Sequence, residues 1–176
     1  MTGSDYIDYE KAMYIGQKLL KSSSQSQRIK GLYILVSVNL GLRIGDLLKL
    51  KWQDLIGERL EITEEKTGKK VDRTLNQHIK DAVTIYNPGK PEDFVFVSQK
   101  GTVFSRQAIN RFLQDQWGIS SHGLRKSFGR HAYNTYGKNE DILIRLSEIF
   151  NHSSPKVTKT YLGIRQKELD DIFDGL

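Results

Sequence analysis

Between Leu60 and Leu75 an otherwise helical apolar pattern gives way to alternation, and that change of period limits what the chain can become. Leu60-Glu61-Ile62-Thr63 and Val71-Asp72-Arg73-Thr74-Leu75 each alternate, and Lys66-Thr67-Gly68-Lys69 between them supplies a glycine-containing turn. This is the pattern of a β-hairpin. Phe94-Val95-Phe96-Val97 is read as a short third strand. On either side, the apolar spacing predicts helices over 8–21, 28–40, 43–50, 76–86, 105–117, 122–136, 140–150 and 155–162. Gly41 is the expected stop of the second helix, and Asn87-Pro88-Gly89 ends the fourth. The expectation is a mainly α fold with a small three-stranded antiparallel sheet. No internal repeat, low-complexity stretch or boundary-length linker divides the 176 residues, so residues 1–176 are read as a single domain.

Charge narrows the class of partner. A formal net charge of +6 favours a polyanion and leaves DNA, RNA and anionic membrane surfaces open. No apolar run approaches the ~20 residues needed to cross a bilayer, and the polar, acidic start MTGSDYIDYEK is not a targeting peptide. The chain has no cysteine and its 4 histidines lack ligand spacing, so neither a disulfide framework nor a metal site is expected. A cytoplasmic protein without metal or cofactor is the expectation.

Chemistry is concentrated in a few segments. Asn151-His152-Ser153-Ser154-Pro155-Lys156-Val157-Thr158-Lys159-Thr160-Tyr161 puts His152 nine residues ahead of Tyr161. A tyrosine is a nucleophile only when activated, because its phenol has a pKa near ~10. Arg43 begins a helix, where a cation is mildly unfavourable, so an anion facing it is the simpler reading. Asp46, three residues on, is placed to hold its guanidinium. His122 and Arg125 share the first turn of another helix, with Ser120 or Ser121 as its cap. Lys66, at the hairpin tip, is the candidate proton donor, with Lys69 and Lys70 competing for the role.

Taken in order, GLRIGDLLKLKW, KTGK in a hairpin, HGLRKSFGRHAY and NHSSPKVTKTY resemble the motifs of the tyrosine recombinase (phage integrase) family. The resemblance runs from end to end and implies that family's catalytic domain. It further implies a site-specific recombinase in which Tyr161 attacks a DNA phosphodiester to give a 3′-phosphotyrosyl intermediate. In that scheme Arg43 and Arg125 clamp the phosphate, and Lys66 protonates the departing 5′-oxygen. His122 assists proton removal from Tyr161, and His152 hydrogen-bonds the phosphate. Asp46 matches the family's acidic position three residues after its first arginine. The implied partners are double-stranded DNA and three further copies of the chain, forming a homo-tetramer on synapsed sites, with a monomer allowed without DNA. No metal or cofactor is implied.

Two departures accompany the match. Lys126 stands where a histidine is frequent, in Gly123-Leu124-Arg125-Lys126-Ser127-Phe128. The helical core-binding domain that usually precedes the catalytic domain is not among these residues, as expected of either a fragment or a short recombinase. The tail, 165–176, has Leu169, Ile172, Phe173 and Leu176 at helical spacing. It is read as a helix that folds onto its own domain or docks on a neighbouring protomer. A DNA-binding accessory protein without catalysis and a type IB topoisomerase are the alternative functions.

Overall fold

The computed structural model describes residues 5–164 and 173–175. Helix α1 (Tyr9–Leu20) is capped by the Asp8 carboxylate, which accepts from the backbone N–H groups of Glu10 and Lys11. It packs along α2 (Gln25–Leu40), the most deeply buried helix, whose residues from Leu32 to Val38 are all inaccessible. Gly41 closes α2 in the left-handed region at φ 57°. A Cβ there would also lie 2.4 Å from the Phe128 ring, so both backbone and packing require glycine.

Helices α3 (Ile44–Leu47) and α4 (Trp52–Leu55) are single turns. The helix expected over 43–50 stops early: the bonds of Lys49 and Leu50 tighten to the carbonyls three residues back, and the Leu50 carbonyl accepts from the N–H of Val95 at 2.9 Å. Then come β1 (Arg59–Thr63) and β2 (Lys70–Thr74), antiparallel with Thr63 opposite Lys70. The sheet has two strands, which corrects the expected three. Phe94 and Val97 form isolated bridges with Lys51 and Val103 instead. The reason is local: Val95 and Phe96 are both buried, which breaks alternation, and the Val97 N–H folds back on the Val95 carbonyl. A segment curled in this way has no straight edge to offer β1 or β2.

Helix α5 (Gln77–Tyr86) is capped by Asn76 and α6 (Arg106–Trp117) by Ser105. Helix α7 (Ser121–Thr135) follows, then α8 (Glu140–Phe150), capped by Asn139, and α9 (Pro155–Leu162), capped by Ser154 with Pro155 in its first turn. The main core joins α1 to α6, the hairpin and the start of α7. A smaller cluster, built on Tyr133, Leu143, Leu146, Phe150 and Leu162, holds α8 and α9 against the far part of α7. Gly129 permits that contact, since a Cβ there would lie 2.7 Å from Leu162 and 2.8 Å from Phe150. Helix α7 therefore belongs to both cores. The tail helix expected over 165–176 lies outside the described residues, apart from 173–175.

Candidate active site

The last carbonyls of a helix have no partner within it and carry its negative dipole end. Here the C-terminal ends of α2 and α8 meet, and three arginines fill the space between them. Arg125 donates from Nη1 to the Gly41 carbonyl at 2.6 Å and from Nη2 to the Phe150 carbonyl at 3.2 Å. Arg43 donates from Nη2 to the same Phe150 carbonyl at 3.0 Å. Arg73 donates to the carbonyls of Leu40 and Ile149. Arg43 thus stands at the start of α3 by sequence, yet its charge rests at the end of α8. The unfavourable dipole argued from sequence is thereby avoided.

Burial costs Arg125 and Arg73 part of their proton affinity. Arg125 is 3% exposed, and its pKa is pushed down to about 10, first by burial. Tyr161 opposes that shift, Arg43 and Arg73 add to it, and Glu64 opposes it. Arg73 is likewise lowered to about 10, chiefly by burial. Both remain charged at neutral pH.

The carboxylate that grips Arg43 is Glu64, not Asp46. Arg43 Nη1 lies 2.7 Å from Glu64 Oε2, whereas Asp46 Oδ1 accepts the backbone N–H of Glu65 at 2.9 Å. Asp46 is buried at the foot of the hairpin and fixes the loop. The helical (i, i+3) argument fails because Arg43 precedes the first turn of α3 with extended ψ, 149°. The expected serine cap of α7 also differs. Ser120 occupies the cap position without a side-chain bond, and Asn110 Oδ1 accepts the Ser121 N–H at 2.9 Å.

Tyr161 leans over this arginine cluster from α9. Its ring is 5.5 Å from that of Phe150 and 5.1 Å from that of His152, both edge-on, and the Lys126 ammonium lies 5.7 Å from its centroid. Its hydroxyl donates to the His122 carbonyl at 3.3 Å. Burial raises the phenol pKa, while Arg125 and then Arg43 pull it back down. His152 follows the left-handed Asn151 and shares a 2.9 Å hydrogen bond between Nδ1 and the buried Thr158 hydroxyl. When Thr158 is the donor, the ring proton sits on Nε2, the nitrogen left for an incoming oxygen.

His122 is lowered below the usual imidazole pKa, first by desolvation and then by Arg125, Arg43, Lys66 and Lys126. His152 is lowered by burial and by the two site arginines. Both rings are therefore neutral near pH 7. Lys66, Lys69 and Lys70 are all exposed. Lys66 is the one of these three whose charge acts on His122, while Lys70 lines a cavity of about 470 Å³ behind Arg73.

The structure thus gathers Arg43, His122, Arg125, His152 and Tyr161, with Lys66 at the rim. Sequence reading missed Glu64 and Arg73. Their signal was present: Glu64 has the parity of Leu60 and Ile62, and Arg73 that of Val71 and Leu75. A charge on the apolar face of a strand calls for a partner.

Paired guanidiniums beside a tyrosine hydroxyl form a site matched to a phosphodiester. The phage integrase family matches residues 8–168. The probable integrase/recombinase YoeC of Bacillus subtilis (strain 168) is 33% identical over 179 residues, covering 95% of this chain and 94% of YoeC. Among solved structures, XerA recombinase superposes with a TM-score of 0.70 at 20% identity, covering 99% of this chain and 64% of that one. The post-cleavage complex of XerH site-specific recombinase with a palindromic difH substrate also gives 0.70, at 22% identity. It covers 97% of this chain and 53% of that one. The chain belongs to the phage integrase family, a family of site-specific recombinases that cut and rejoin DNA strands.

Proposed function

We propose that this chain cleaves double-stranded DNA through Tyr161, forming a 3′-phosphotyrosyl bond and releasing a 5′-hydroxyl, then rejoins strands by the reverse attack. The observation that carries the reading is the convergence of Arg43 and Arg125 on one oxygen, the carbonyl of Phe150, whose ring packs edge-on against Tyr161. Two guanidiniums that already share an oxygen are spaced to share a non-bridging phosphate oxygen, whose charge grows as the phosphorus becomes five-coordinate. Each guanidinium has five N–H groups, so donors remain after the protein bonds are made. Neutral His122 takes the Tyr161 proton, and His152 donates from Nε2 to the phosphate. Lys66 gives its proton to the departing 5′-oxygen. In this resting geometry the Tyr161 hydroxyl donates to a backbone carbonyl, so it must turn from His122 O toward the phosphate before attack.

The energy of the broken ester is kept in the phosphotyrosine, so rejoining needs no nucleotide. The scheme calls for no metal, and cleavage should survive EDTA. On two duplexes, four copies acting together would exchange strands, with the tail at 165–176 linking neighbours. A nicked duplex that loses its short 5′ fragment after cleavage tests the reading. A covalent protein–DNA band that disappears in Tyr161→Phe supports it. DNA binding without any band would favour an accessory role, and relaxation without strand exchange would favour a topoisomerase.

A further inference from the structure

Glu64 directly follows β1, with its side chain wholly covered by protein. Its Oε2 accepts from Arg43 Nη1 at 2.7 Å, Thr67 Oγ1 at 2.8 Å and Asn151 Nδ2 at 2.7 Å. These donors come from three separate parts of the site: the entry to α3, the loop that carries Lys66, and the turn that carries His152. The other oxygen, Oε1, is buried and has no hydrogen-bond partner. Burial alone would raise this acid, but the Thr67 hydroxyl and the Arg43 and Arg125 cations outweigh it, leaving the pKa lowered. A covered carboxylate with half of its acceptor capacity unused is costly, and an apolar residue at this inward position would avoid the cost.

Resting on the recombinase reading above, we propose that Glu64 is a positioning residue for DNA cleavage: it orients the Arg43 guanidinium and ties the Lys66 loop and the His152 turn to it. Glu64 does not touch DNA. It neutralises part of the charge on Arg43 and so slightly weakens the attraction for phosphate. What it provides is direction, holding the Arg43 guanidinium beside that of Arg125 at the Phe150 carbonyl. Orientation of this kind acts on the chemical step more than on binding.

The test compares single-turnover cleavage of a nicked duplex at saturating protein with DNA affinity, for the unsubstituted chain, Glu64→Gln, Arg43→Ala and the double variant. Glu64→Gln is expected to cleave about tenfold more slowly while binding DNA as well or slightly better. In the Arg43→Ala background the same change should cost nothing further, because the residue it acts through is gone. Unchanged cleavage in Glu64→Gln, or an equal fall in both backgrounds, would overturn the proposal. A second readout covers a variant that does not fold or a protein that forms no adduct. In the unsubstituted, DNA-free chain, the ¹⁵N guanidinium signals of Arg43, assigned with Arg43→Lys, should be resolved and slowly exchanging. Averaged Arg43 signals would overturn the inference by themselves. A missing adduct with resolved signals would instead remove the recombinase reading and leave the Glu64–Arg43 coupling standing.

Discussion

Arg43 and Tyr161 meet at one site but stand on cores of different size. Arg43, Glu64 and Arg73 stand on the main core, where α2 is buried almost throughout and the hairpin is locked to it by Arg73. Tyr161 and His152 stand on the smaller cluster formed by α8, α9 and the far part of α7. Phe150 joins the two, because its carbonyl receives both arginines while its ring packs against Phe128, His152 and Tyr161. On the proposed mechanism the phosphate-holding side is therefore preset, and the side that would present the nucleophile has fewer buried contacts resisting local opening. That division suits a reaction in which the phosphate is held still while the tyrosine must turn away from the His122 carbonyl.

Four substitutions or titrations probe the difference, beginning with the largest. Arg125→Ala removes a buried side chain bonded to both helix ends, and should lower cleavage about a thousandfold with most DNA affinity kept. Equal losses in binding and cleavage would mean that the arginine serves affinity alone. Phe150→Ala should cost about 3–5 kcal/mol in urea unfolding. Amide exchange should quicken in α8 and α9 more than in α2; uniform quickening would contradict the two-core description. Lys66→Ala should slow cleavage about a hundredfold and be rescued by a bridging 5′-thiolate, which needs no protonation. Rescue of Lys69→Ala instead would move the acid along the hairpin. The smallest effect is on pH dependence. His122 and His152 have lowered pKa values when folded, so below about 6.5 the unfolded chain takes up protons that the folded chain resists. Thermal stability should consequently fall as pH drops through that value, and replacing both histidines with glutamine should flatten the profile.

Much of this comparison was legible in the residues, and the limits have physical causes. Helical spacing and stop residues such as Gly41 located the long helices to within a few residues, since both are local properties. The third strand failed because Phe94 to Val97 has strand composition, but its backbone bonds go to Leu50 and Phe104, partners that no local pattern reveals. The candidate site residues came from motifs, yet their support did not. Asp46 was chosen for Arg43 by sequence proximity, whereas the true partner, Glu64, comes from the hairpin loop just after β1. Arg73 was missed for the same reason. Convergence of helix ends is a tertiary fact, and only the parity of charged residues within the hairpin hinted at it.

The central claim is that the arginines and the tyrosine of one chain form one site. Mixing Tyr161→Phe with Arg125→Ala on the nicked duplex tests it most directly, since each variant retains what the other lacks. If both residues act within the same chain, the mixture should yield no more covalent adduct than either variant alone. Adduct restored in the mixture would show that Tyr161 is delivered to the arginines of a neighbouring copy, and would contradict the account.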